Sequence, residues 1–155
     1  MQALPVSTSP TSSIVVGTVA SAATTGALIA AGRRLGSAGI PFAEISSALF
    51  HRTPSGGEVG LVFSGVVLHV AVTMLWSAAF VWLVRRARWR RIFAAVVVAC
   101  ASLVLSWLIA WSTGRGVATV LPLGDRIVVS VVLAISLVVG MRFAFFPGEM
   151  PELPE

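Results

Sequence analysis

The sequence predicts an all-α integral membrane protein with four transmembrane helices, a short interfacial helix between the first and second, and both chain ends on one side. Three observations predict it. Of the 155 residues, 57% are hydrophobic and 11% are charged, against about 25% charged in ordinary soluble domains. Mean hydropathy is +0.95. The apolar residues also arrive in long blocks separated by short polar stretches, without the alternation of a half-buried strand or the period of an amphipathic surface helix. Blocks approaching about 20 residues are long enough to cross a bilayer's hydrocarbon.

The stretch from Met1 to Thr11 is polar and contains prolines, without the basic start of an export signal, so the first apolar block is expected to be retained as a span. That span covers about residues 12 to 31 and is rich in Ala, Gly, Ser and Thr. Its small residues recur four apart, as Gly17, Ser21 and Thr25 and again as Ala22, Gly26 and Ala30, which predicts close helix contacts on two sides. From Gly32 to Gly57 the chain turns polar. Within it, residues 41 to 51 place Phe42, Ile45 and Leu49 on one helical face, with Pro41 suited to a first turn, and are expected to form an interfacial helix.

The second span, about residues 59 to 84, is longer than a crossing requires, which implies tilt or a protruding end, and it closes near Trp82 at an expected interface. The connection from Arg85 to Arg91 is so short that the third span, about 92 to 111, must be an antiparallel neighbour of the second. Trp107 and Trp111 close the third span. Residues Ser112 to Gly124, with Gly114, Gly116 and Pro122, read as a loop; Asp125 stands at an expected N-cap, and the fourth span covers about 126 to 146. The acidic, Pro-rich tail from 147 to 155 cannot continue the helix. No internal repeat interrupts this single membrane domain.

All eleven basic residues are arginines, a bias expected of a GC-rich bacterial genome. A sequence pI near 11.6 raises nucleic-acid binding, but Arg85, Arg86, Arg88, Arg90 and Arg91 crowd into one turn between apolar blocks, where headgroups are the nearer anions. Those five are candidates for docking an anionic lipid or an acidic partner surface, and nucleic acid is not expected as a partner. Placing this turn in the cytoplasm puts six arginines inside, counting Arg142, and five outside. The density decides, each arginine being worth about 1 kcal/mol at an anionic surface. Both termini are therefore expected in the cytoplasm, although Arg33 and Arg34 pull the other way. Arg142 itself suits the last turn of the fourth span.

His69 falls near the middle of the second span, where an ionisable group is expensive. Gly65, His69, Thr73 and Ser77 form a stripe of four-residue spacing, with Trp76 on the same side, so the imidazole is expected to face other helices. Three readings are open. The first is a neutral ring hydrogen-bonded to a neighbouring helix, worth about 1 kcal/mol. The second is an axial ligand to a haem or chlorophyll-type pigment, because Gly-x-x-x-His resembles the small-x-x-x-His pattern of light-harvesting helices; the only second histidine, His51, lies in the interfacial segment. The third is a proton-transfer or substrate-contact group in a small transporter, against which Glu58 and Asp125 stand at block edges and Glu44 in a loop. No resident cofactor or metal is expected. Cys100, the lone cysteine, excludes an internal disulfide and is expected as a buried apolar filler. The motifs of metalloproteases, α/β-hydrolases and P-loop enzymes are absent, so the protein is expected to be non-catalytic. Ser64, Ser102, Ser106, Ser130 and Ser136 read as helix-contact residues or as hydroxyls bonded to their own backbone, rather than as nucleophiles.

The Gly-rich exit from the first span, the Pro41 to Phe50 segment, His69-x3-Thr73-x2-Trp76 and the Asp125 region resemble uncharacterised four-helix bacterial inner-membrane proteins over residues 26 to 126. The acidic tail departs from that pattern. The resemblance implies the architecture and a bacterial inner-membrane location, and it carries no activity. The expected function is a non-catalytic accessory subunit contacting membrane lipids and the other subunits of a larger respiratory or photosynthetic complex. The alternatives are a small transporter or ligand-binding membrane protein using the His69 face, and pigment ligation by His69.

Overall fold

The computed structural model describes residues 11 to 51 and 59 to 145; Glu58 and the tail from 147 to 155 lie outside them. Regular structure among the described residues is entirely helical: α1 (Thr11–Arg34), α2 (Ile40–Phe50), α3 (Val59–Arg85), α4 (Arg91–Thr113), α5 (Val117–Val120) and α6 (Leu123–Phe145). The long helices α1, α3, α4 and α6 are each apolar and long enough to cross a membrane. At 1.5 Å per residue α3 spans roughly 40 Å, longer than the hydrocarbon core of about 30 Å.

The helix ends depart from the sequence expectation where a distant partner or a local cap decides them. α1 runs on through Arg33 and Arg34, whose charges complement the C-terminal end of the helix. Arg34 Nη2 donates to Asp125 Oδ1 at 2.5 Å. Asp125 is therefore not an N-cap. α6 starts two residues earlier, at Leu123, directly after Pro122, whose carbonyl accepts from Arg126 N at 3.2 Å. Asp125 sits in the first turn, where a carboxylate is still favourable to the helix dipole. α4 ends on Gly114 at φ 65°, a left-handed cap that costs glycine little, with its N–H donated to Ala110 O at 2.9 Å. The segment expected as a loop folds one helical turn, α5, against the bundle.

α1, α3, α4 and α6 form a ring in that order. α1 lies between α3 and α6, and α4 lies against α6. α3 and α4, although joined by only five residues, touch least of the adjacent pairs in the ring. Their inward residues explain this. α4 buries Ala94, Ala95, Val98 and Ala99, whereas the buried residues of α3 include Gly65, Thr73 and Ser77. Phe80 and Val81 pack in one cluster with Ala94, Ala95 and Val98 toward the arginine pole, while the short side chains of Gly65, Thr73 and Ser77 leave the rest of the α3–α4 seam less filled. The starts of α1 and α4 and the ends of α3 and α6 share one pole, where Arg85 Nη2 donates to Ser12 Oγ at 2.9 Å.

α2 is more than a surface helix. Pro41, Phe42, Ser46 and Ser47 are buried, and Ser46 Oγ donates to Leu61 O at 2.6 Å. Gly65 lets the two helices meet, because a Cβ there would overlap the Phe42 carbonyl. Phe42 and Ile45 face inward as expected, but Leu49 is 58% exposed and does not share their face in effect. The buried hydrophobic residues divide into two clusters. One, around Val16, Ala20, Phe80, Leu137 and Met141, lies toward the arginine pole; the other, around Leu28, Ala31, Phe42 and Leu121, lies toward the opposite pole.

Two further expectations are corrected. Of the two small-residue stripes on α1, Gly17 and Ser21 are buried and Thr25 half-buried, whereas Ala22, Gly26 and Ala30 are exposed. One side of α1 meets neighbours; the other meets none among the described residues. Cys100 is exposed rather than buried, because it lies on the side of α4 turned away from Ala94, Ala95, Val98 and Ala99.

Candidate functional site

Between the two core clusters the helices form a half-open cavity of about 220 Å³. Thr24 and Leu28 of α1 line it, with His69, Val72, Thr73 and Trp76 of α3. α4 contributes Ser102, Ser106 and Ile109, and α6 contributes Arg126, Val129, Ser130 and Leu133. Gly116, Val117 and Leu121 line it from the connection between α4 and α6, and Ile45 and Ala48 from α2.

His69 is fixed by two neighbours. Its Nε2 lies 2.9 Å from Thr24 Oγ1, and the edge of its ring meets Phe42 in a T-shaped contact, centroids 6.0 Å apart at 72°. Thr24 Oγ1 has one proton, which it donates to Ala20 O at 2.8 Å. The oxygen therefore accepts from the ring, which assigns the imidazole proton to Nε2 and leaves Nδ1 an acceptor without a protein partner among the described residues.

The other cavity hydroxyls are mostly occupied in the same way. Thr73 Oγ1 donates to His69 O, Ser102 Oγ to Ala99 O and Ser106 Oγ to Leu103 O, each at 2.8 Å. These are backbone bonds within one helix, so the hydroxyls present little polarity to the cavity. Unmet hydrogen-bonding capacity is concentrated in three places: His69 Nδ1, the Ser130 hydroxyl, and Arg126, whose Nε is buried without a partner among the described residues. Arg126 and Ser130 are four residues apart on α6 and so stand one turn above the other.

The sequence-derived stripe has divided roles. His69, Thr73 and Trp76 line the cavity. Gly65 instead meets α2, and Ser77 is fully buried with its hydroxyl donated to Thr73 O at 2.8 Å. His51 caps α2 in a left-handed conformation and is exposed, outside the cavity lining. Thr24, Arg126 and the cavity role of Ser130 are not evident in the sequence, although the Arg126-x3-Ser130-x2-Leu133 spacing would have shown one shared helix face.

At the other pole, Arg86, Arg88, Arg90 and Arg91 are exposed in and just after the turn, and Arg88 adopts φ 57°. Arg85 differs from them: it is half-buried and ties the end of α3 to the start of α1 through Ser12. No group of three His, Cys, Asp or Glu side chains that could hold a metal ion occurs among the described residues. No protein-family model, no curated protein and no solved structure matches the chain.

Proposed function

We propose that the chain is a multi-pass protein of the bacterial inner membrane that binds a small, largely apolar molecule in the cavity beside His69. The observation that carries the reading is the cavity itself, bounded by all four long helices and lined by apolar residues with a few convergent polar groups. That composition is typical of ligand sites. Membrane insertion is supported by the large apolar residues turned outward, among them Phe63, Leu75, Leu108 and Ile135, which a bilayer would cover. The dense arginine turn supports cytoplasmic placement of that pole and, with it, of both termini.

A porphyrin suits this site poorly. His69 Nε2 is engaged by Thr24, and about 220 Å³ is only moderately larger than the roughly 150 Å³ cavity that takes benzene. The role proposed for His69 is to hold α3 to α1 through Thr24 and to form part of the cavity wall, with no catalytic step.

A second reading, an accessory subunit beside a larger membrane complex, is favoured by the exposed Ala22, Gly26 and Ala30 face of α1, where a partner helix could approach closely. Native mass spectrometry after extraction in a gentle detergent separates the two. The ligand reading expects a small molecule of constant mass on the wild-type protein, lost when Ser106→Leu fills the cavity. An empty wild-type chain recovered in fixed ratio with larger subunits would reject it in favour of the accessory role.

A further inference from the structure

We infer that the molecule held in this cavity is a single-chain anionic amphiphile, with its carboxylate or phosphate on Arg126 and Ser130 and its alkyl chain laid along the cavity toward His69. The inference rests on the reading that the cavity binds a ligand, and it specifies the chemical class.

The charge arrangement around α6 carries it. A guanidinium lining an apolar cavity is expensive unless an anion meets it. Arg126 lines the cavity and its Nε is buried without a partner among the described residues. Arg115, beside the cavity residue Gly116, likewise has a buried Nη1 without a partner there. Of the two described carboxylates on this side, one is paired with an arginine and the other accepts from neutral donors. Asp125, next to Arg126 in sequence, is bonded by Arg34. Glu44 Oε2 accepts from Ser47 Oγ at 3.1 Å and from Gly116 N at 3.4 Å. Arg33, Arg34, Arg115 and Arg126 stand on this side against Glu44 and Asp125 among the described residues, so positive charge is left over. An arginine fork presents two parallel N–H groups to a carboxylate or phosphate, and the Ser130 hydroxyl one turn along adds a third donor.

The remainder of the cavity selects the remainder of the ligand. Beyond Arg126 and Ser130 its walls are apolar side chains, hydroxyls already bonded to their own helices and the single imidazole of His69, tied to Thr24 through Nε2. Such walls take a hydrocarbon and offer little to a polar body. Scaling from about 150 Å³ for benzene, the cavity takes one chain of roughly six to ten carbons and excludes a paired-chain lipid from entering whole. A cation would be repelled by Arg126, and a neutral chain would leave it unpaired. The anion could belong to a free acid or to a bilayer lipid that inserts one chain; the chemistry recognised is the same.

The test uses the full chain in nanodiscs of zwitterionic phosphatidylcholine, with octanoate and octan-1-ol titrated by calorimetry against empty discs. Wild type is expected to bind octanoate at least tenfold more tightly than the alcohol. Arg126→Gln is expected to abolish that ratio while keeping alcohol binding, and Arg126→Lys to retain part of it, with charge but no fork. Ser106→Leu is expected to abolish both. Equal binding of acid and alcohol by wild type, or a ratio untouched by Arg126→Gln, with Ser106→Leu still abolishing binding, overturns the inference and leaves the ligand-binding reading standing. Binding insensitive to Ser106→Leu, or no binding of either compound, overturns both. Replacing part of the lipid with phosphatidylglycerol identifies the source: weakened octanoate binding in wild type places the anion on a lipid, and unchanged binding places it on a free acid. Either result supports the class.

Discussion

Two glycine-to-alanine substitutions isolate the contact that seats α2. In a helix, alanine is favoured over glycine by about 0.8–1.0 kcal/mol, so that contribution is common to Gly26→Ala and Gly65→Ala and cancels in their difference. At Gly26 an added Cβ meets nothing within 4 Å. At Gly65 it would overlap the Phe42 carbonyl, with Phe42 Cα 2.9 Å away. Both are backbone atoms and cannot rotate aside as a side chain would, so α2 must lift from α3. Overpacking of this kind costs about 1–3 kcal/mol. Gly26→Ala is thus expected to be neutral to about 1 kcal/mol stabilising, and Gly65→Ala to fall about 1–3 kcal/mol below it. Reversible unfolding in mixed micelles by SDS titration, followed by tryptophan fluorescence, measures both. Because Phe42 makes a T-shaped contact with His69, Gly65→Ala is also expected to weaken occupation of the cavity. Two variants of equal stability would refute the placement of α2 and, with it, the closure of the cavity on that side.

Thr24→Val removes the acceptor of the His69 Nε2 proton while keeping the shape of the side chain. Inter-helix hydrogen bonds of this kind average about 0.6 kcal/mol and reach about 1.7, so a loss in that range is expected in the same unfolding assay. Nitrogen-15 NMR of the wild-type imidazole is expected to show the Nε2-protonated tautomer; the Nδ1 tautomer would contradict the assigned bond direction. Cys100 is expected to label with a maleimide fluorophore in the folded, detergent-solubilised protein. After reconstitution that fluorophore is expected to be quenched by lipids brominated along their chains. Labelling only after unfolding would show Cys100 inside the bundle.

The four long helices were legible because an uninterrupted apolar length is a property of the chain alone. Their ends were less so. α1 continues to Arg34 because that arginine reaches Asp125, 91 residues away in sequence, a partner no local pattern exposes. The small stripes show the same limit. Gly17 with Ser21, and Ala22 with Gly26, have the same spacing, yet only the first pair is buried, because the side of α1 that α3 and α6 occupy is set by the whole bundle. The inward direction of His69 was readable from Gly65, Thr73 and Ser77, since a ring flanked by small residues needs a neighbour to fill the space above them.

The cavity was not readable, and the reason lies in what hydroxyl groups do inside a helix. Ser102 and Ser106 read either as contacts between helices or as hydroxyls bonded to their own backbone, and the sequence does not choose between the two. The second reading holds: each donates its single proton to a carbonyl of its own helix, as serines in apolar helices readily do. A hydroxyl so engaged exerts little pull across the seam and, being short, does not fill it. Facing them, His69 turns its proton to Thr24 on α1 rather than toward α4. The polar groups on the facing sides of α3 and α4 are thus satisfied elsewhere, which fits the weak α3–α4 contact beside the cavity. Ser106→Leu, which replaces a self-satisfied hydroxyl with bulk, is accordingly expected to close the cavity by filling the seam rather than by breaking any bond between helices.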